Sequence, residues 1–153
     1  MKTLLIIANM PSANTKLLAQ QVLEGASHPD IENVKTRLLS PFEARPQDVM
    51  ESDAIILGTT ENLGYMSGAL KDFFDRIYYP CLEEKQGLPC ALYIRAGHDG
   101  TGTRRAVETI VTGLKWRWVQ PPLTLRGSYQ EDFAEQCHEL GLTVAASLDA
   151  GII

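Results

Sequence analysis

The chain has 153 residues, a formal net charge of -5 at pH 7, and 44% hydrophobic and 22% charged residues. That length suits one domain spanning 1–153, which would bury about 68–70% of its unfolded surface, and the composition is that of an ordinary soluble globular protein. The acidic balance argues against a nucleic-acid partner and against steering to anionic membranes, and no apolar run approaches the roughly 18 residues of a membrane span.

The opening MKTLLIIANMP has an apolar core of only Leu4–Ala8. A secretory leader needs roughly 7–15 apolar residues, so the segment reads as a strand, Thr3–Ala8. A hydroxyl- and amide-rich loop follows, Asn9 to Thr15, and then a helix with Leu18, Val22 and Ala26 on one face. Val34–Leu39 alternates apolar and polar residues, the pattern of a half-exposed edge strand. Ser40-Pro41 stops it, and Pro46–Glu51 is a short helix. Ala54–Leu57, ended by Gly58, is too brief for a helix and reads as a strand buried on both faces. The turn-rich loop Thr59-Thr60-Glu61-Asn62-Leu63-Gly64 leads into a helix striped by Ala69, Leu70, Phe73, Phe74 and Ile77. Leu88–Ile94 is a fourth strand, followed by the loop Ala96-Gly97-His98-Asp99-Gly100-Thr101-Gly102. Val107, Ile110, Val111, Leu114 and Trp118 stripe the next helix. Val119–Leu125 carries Pro121 and Pro122, which cannot donate ladder hydrogen bonds, and is assigned to a sheet edge. Phe133, Cys137, Leu140, Val144 and Leu148 stripe a last helix.

Five strands thus alternate with helices. Buried signatures fall on the first, third and fourth, and edge signatures on the second and fifth. The order 2-1-3-4-5 satisfies all of them, and with right-handed crossovers it gives an α/β, flavodoxin-like doubly wound five-stranded parallel sheet with helices on both faces. Its switch point lies between strands one and three. The loops 9–15, 59–66 and 96–102 would line one crevice there, at the carboxyl ends of the strands, where such sheets bind ligands.

The residues exclude several chemistries for that crevice. A phosphoacceptor domain needs acidic residues after the first strand, where Asn9 and Met10 stand. Walker and GxGxxG glycine patterns are absent. His28, His98 and His138 fall on separate elements without ligand spacing, so no metal site is expected. Cys81, Cys90 and Cys137 are odd in number and lack CxxC spacing, which points to free thiols in a reducing cytoplasm. What remains is an uncharged loop opening a helix. Ser12, Asn14 and Thr15, with the free N–H groups of the first turn, suit a phosphate monoester; Ser12 or Asn14 serving only as a helix cap is the alternative.

Three segments carry a resemblance. NMPSANTKLLAQQVLEGA resembles the phosphate loop and first helix of flavodoxin-like proteins. GTTENLGYMSGALKDFFDRI resembles the second flavin loop of the NAD(P)H-dependent FMN and quinone reductases, and RAGHDGTGTRRAVETI their third loop. MSGALKDFFDR is the most specific of these matches. The resemblance implies FMN as cofactor, with its phosphate held by Ser12, Asn14 and Thr15. It places Thr59, Thr60, Glu61, Asn62, Leu63, Gly64 and Tyr65, with Ala96, Gly97, His98, Asp99 and Gly100, around the isoalloxazine ring. The family often has glycine before the Asn-Thr pair, where this chain has Ala13; a left-handed backbone there would cost alanine about 1 kcal/mol.

Only Tyr65, opposite His98, is available as an aromatic flank, which leaves one ring face open for a stacking second substrate. The expectation is therefore a cytoplasmic FMN-dependent oxidoreductase. NAD(P)H would be the co-substrate and a quinone-like or other small molecule the acceptor. His98 stands as hydrogen-bond donor at the open face, and Arg104 and Arg105 within reach of the nucleotide. The resemblance also suggests a homodimer. Two alternatives stand beside this reading: a flavodoxin-type electron carrier, which an acidic flavin edge would favour, and a flavin-free binding module. Glu61 and Asp99 lie near the expected flavin edge, but Arg95, Arg104 and Arg105 offset them.

Overall fold

The apolar runs at residues 4–8, 54–57 and 90–94 become the three inner strands of a parallel sheet. The computed structural model describes residues 1–153. β1 (Lys2–Ala8) lies between β2 (Val34–Leu39) and β3 (Ala54–Asn62), and β5 (Pro89–Ala96) pairs with the far side of β3. The register sets Ile6 beside Leu38 and Ile56, and Leu57 beside Leu92. Beyond β5 the edge is completed by β6 (Arg117–Trp118) and β7 (Leu123–Arg126), both parallel to it. Taken as two pieces of one strand, they give the order expected from the burial patterns.

Side chains of the inner strands alternate between two cores. Leu5, Ile7, Ile55 and Leu57 face Phe73 and Phe74 of α3 (Gly68–Cys81) and Val107 of α4 (Thr101–Leu114), with Val49 of α2 (Pro46–Met50) beside them. Leu4, Ile6, Ile56 and Tyr93 face Leu18 and Val22 of α1 (Ala13–Ala26) and Phe133 and Val144 of α5 (Asp132–Asp149). Each fully buried aliphatic or aromatic side chain contributes about 1.5–3 kcal/mol. A sheet anchored on both faces holds its carboxyl-end loops at fixed separations. No helix is long and apolar enough to cross a membrane.

Several expected boundaries move; α1 starts at Ala13 and α4 at Thr101, inside the loops expected at 9–15 and 96–102. β3 does not stop at Gly58 but continues through Thr59, Thr60, Glu61 and Asn62, then turns back into β4 (Tyr65–Met66). Gly58 serves packing instead: a Cβ there would lie 2.3 Å from the Tyr93 ring. The expected strand Val119–Leu125 is broken, because the chain around Pro121-Pro122 leaves the ladder and rejoins it only at Leu123. Trp118 is not on the α4 stripe, since Lys115 adopts a left-handed conformation (φ 59°) and ends the helix. Trp118 belongs to β6, and Trp116 enters the core 6.3 Å from Phe74.

Candidate functional site

The three predicted loops converge at the carboxyl ends of β1, β3 and β5, and hydrogen bonds join them. In the first, Ser12 is the N-cap of α1: its hydroxyl accepts from the Thr15 N–H at 3.2 Å, while the Thr15 hydroxyl accepts from the Ser12 N–H at 2.9 Å. Thr15 is only 8% exposed, so these two hydroxyls largely satisfy each other. The N–H groups of Ala13 and Asn14, in the first turn, have no intrahelical acceptor and carry the positive end of the helix dipole. Asn14 is exposed beside them. Ala13 is not among the residues with positive φ, so alanine carries no strain there.

The second loop is a β-hairpin. Glu61 pairs with Met66 and Asn62 with Tyr65 across a two-residue turn, in which Leu63 (φ 54°) and Gly64 (φ 75°) are both left-handed. Two positive φ values match the right-handed twist of the strands, and glycine supplies one without strain; Leu63 adopts the other with a fully exposed side chain. Asn9 donates to the Thr60 hydroxyl at 3.2 Å, which donates to Asn62 at 2.8 Å, tying the first loop to the hairpin. Thr59 is 2% exposed and its hydroxyl accepts from the Ser67 N–H, so it braces the start of α3. Tyr65, next to the hairpin turn, is 42% exposed.

The third loop is locked to the hairpin. The Glu61 carboxylate accepts from the His98 and Gly100 N–H groups, both at 2.9 Å. Thr103 donates to the Tyr65 carbonyl at 2.9 Å. Gly102 allows this approach, because a Cβ there would lie 2.1 Å from the Gly64 carbonyl oxygen. The Asp99 carboxyl is held below its ordinary range, chiefly by the backbone N–H of Thr101. Gly97, His98 and Asp99 are exposed. Ala96 is fully buried, and its carbonyl accepts from Gly127 and from Arg95.

The predicted residues therefore divide. Ser12, Asn14, Asn62, Leu63, Gly64, Tyr65, Gly97, His98 and Asp99 present surface in the loops at the carboxyl end of the sheet, while Thr59, Ala96 and Gly100 are buried supports. Of the basic residues, Arg95 lies 5.0 Å from the Phe133 ring and donates to the Ala96 and Leu125 carbonyls, so it is structural. Arg104 pairs with Glu108 at 3.4 Å. Cys81, Cys90 and Cys137 are free and buried. Sequence reasoning placed Gly102 in the third loop without its packing role, and missed Thr103 and Arg126. The last follows Leu125 at the carboxyl end of the edge strand, and that position was the available signal.

An uncharged helix-opening loop, a hairpin and a third loop gathered at the switch point of a 2-1-3-4-5 sheet define a flavodoxin-like protein. The family model for NADPH-dependent FMN reductase matches residues 1–124, and the chain belongs to that family. A curated flavodoxin from Aquifex aeolicus (strain VF5) is 32% identical over 114 residues, which cover 74% of this chain and 60% of the relative's length. Among solved structures, an archaeal flavodoxin superposes with a TM-score of 0.78 at 19% identity, covering 97% of this chain and 99% of that one. A WrbA-like flavodoxin from Agrobacterium tumefaciens gives 0.78 at 17% identity, covering 99% of both chains. At these identities the structural likeness speaks for the fold.

Proposed function

We propose that the protein is an FMN-dependent oxidoreductase that takes reducing equivalents from NAD(P)H and delivers them to a quinone-like or other small acceptor. The observation that carries this is the uncharged start of α1. There the Ala13 and Asn14 N–H groups lie in the first turn of an unstrained helix start with exposed Ser12 and Asn14 side chains beside them, and Asn9 of the same loop bonds to the hairpin. Such a set fits a phosphate monoester without a lysine or arginine. Asn14 and the first-turn amides would hold the phosphate, Ser12 and Thr15 giving up part of their mutual bonding to join them. Tyr65 would flank one side of the ring, with Thr60, Glu61, Asn62 and Gly64 along its edge. When bound, FMN supplies hydride acceptance and onward electron transfer. The chain's own part is orientation and exclusion of water. The bonds from Glu61 to His98 and Gly100, and from Thr103 to Tyr65, hold the two ring-flanking loops at one spacing. The exposed His98 imidazole would offer a donor to an amide or carbonyl docking at the open face.

The rival reading, an electron carrier served by a protein reductase, draws support from the flavodoxin relative and from the exposed Leu63 at the hairpin tip. Anaerobic stopped-flow mixing of the FMN-loaded protein with NADPH and NADH separates them. The reductase reading expects bleaching of the flavin absorbance far faster than for free FMN. Flavin that stays oxidised with both nucleotides, yet is reduced by a flavodoxin reductase, assigns the protein as a carrier.

A further inference from the structure

The hairpin carries a run of hydrogen-bonded side chains with a free end. Asn9 donates from its amide nitrogen to the Thr60 hydroxyl at 3.2 Å, and that hydroxyl donates to the Asn62 amide oxygen at 2.8 Å. The neighbouring polar groups are committed elsewhere. The Glu61 carboxylate accepts from the His98 and Gly100 N–H groups. The Thr59 hydroxyl accepts from the Ser67 N–H and donates to the Thr60 carbonyl. Asn9 and Thr60 are half-buried and Asn62 is exposed, so the run leads from the first loop outward to the hairpin surface. Thr60 and Asn62 share one face of β3, and Asn62 stands directly across the ladder from Tyr65.

Such a run works in either direction. In the one described, Asn62 turns its amide N–H donors outward. Rotating the Thr60 hydroxyl and turning both amides end for end reverses it with almost no movement of heavy atoms. Amide oxygen and nitrogen are nearly the same size, and the terminal torsion of asparagine is soft. Asn62 then donates to Thr60, Thr60 donates to Asn9, and the Asn62 oxygen faces outward as an acceptor. Both directions make the same number of bonds, so the partner at the free end selects between them.

We infer that Asn9, Thr60 and Asn62 form a reversible hydrogen-bond relay that serves the flavin ring in both of its redox states. Asn62 would meet ring nitrogen N5, with Asn9 and Thr60 as positioning residues. The oxidised ring offers N5 as a lone-pair acceptor, which the outward Asn62 amide matches. A hydride brings one hydrogen and both electrons to N5 and leaves its donor oxidised; N5 is then an N–H donor, which the outward Asn62 oxygen matches. Asn9, three residues before Ser12, would change from donor to acceptor at each reduction. The inference rests on the flavin reading of the site and is independent of which molecule supplies the electrons.

The test is NMR of the side-chain amides in isotope-labelled, FMN-loaded protein, oxidised and then fully reduced with dithionite. Reduction frees the Asn9 amide from Thr60, so exchange of its protons with water should quicken about fivefold, the scale of one net hydrogen bond. Thr60→Val keeps the shape and removes the hydroxyl, and Asn62→Ala removes the far end. Each should bind FMN and leave Asn9 exchange the same in both redox states. Wild-type Asn9 exchange that ignores the redox state, or a response that persists in Thr60→Val, refutes the relay while the flavin reading stands. Loss of FMN from both variants would make the run a structural brace and overturn the relay. Wild-type protein that binds no FMN refutes the flavin reading and the relay together.

Discussion

Gly102→Ala probes the joint on which the site depends. An added Cβ would lie 2.1 Å from the Gly64 carbonyl oxygen and 3.2 Å from its carbon. That oxygen belongs to backbone in a tight turn, so the hairpin must move about 1 Å to restore an ordinary contact. Overpacking of this kind costs about 1–3 kcal/mol. Straining the Thr103 bond to Tyr65 adds about 0.5–1.5 kcal/mol, against a gain of about 1 kcal/mol from replacing a helical glycine. The net expectation is a loss of about 1–3 kcal/mol, with FMN affinity down roughly tenfold as Tyr65 and Glu61 shift. Gly68→Ala is the control. It lies at the start of α3 with nothing within 4 Å of its added Cβ, and should gain up to about 1 kcal/mol without changing FMN affinity. Urea denaturation of the flavin-free variants followed by far-UV circular dichroism gives the stabilities, and flavin fluorescence titration gives the affinities. A Gly102→Ala protein as stable as Gly68→Ala, with wild-type FMN affinity, refutes the interlocked hairpin.

Thr15→Ala removes the acceptor of the Ser12 N–H and should lose about 0.5–1.5 kcal/mol of stability in urea titrations, while narrowing the preference for FMN over riboflavin. Tyr65→Ala should weaken FMN by about 1–3 kcal/mol and leave flavin-free stability within about 0.5 kcal/mol; an unchanged dissociation constant removes Tyr65 from the ring. Burial pushes the Cys137 thiol up to about 12 from 9.0. Because the folded state keeps this proton longer than the unfolded one, its contribution to stability is intact below pH 9 and is lost as pH rises towards 12. The slope is about 1.4 kcal/mol per pH unit for one thiol. Cys137→Ala should flatten the decline between pH 9 and 11 in urea titrations, and an identical slope would show that the thiol titrates normally.

The sheet was legible because burial was written into the strands. Leu4–Ala8 and Ala54–Leu57 are apolar on both faces, Val34–Leu39 alternates, and two prolines mark the other edge. The stripe Phe133, Cys137, Leu140, Val144 and Leu148 is the buried face of α5. The hairpin was hidden for a different reason. Thr59 to Asn62 has the residue types of a turn, and its strand conformation depends on partners far along the chain: Met66 and Tyr65 opposite, then His98, Gly100 and Thr103 beneath. Glu61 looked like an acidic rim residue, yet its carboxylate bridges loops 37 and 39 positions apart. The same holds for Trp118, which lies within helical spacing of Leu114, but a left-handed Lys115 intervenes.

The central claim is that the start of α1 and the two interlocked loops form a flavin mononucleotide site whose grip begins at the phosphate. Fluorescence titration of the purified protein with FMN and with riboflavin tests it most directly. The account predicts saturable binding of FMN, stronger than that of riboflavin by at least about 1.5–3 kcal/mol, the worth of charge-assisted bonds to the phosphate. Equal affinities for the two flavins, or no binding of either, would contradict it.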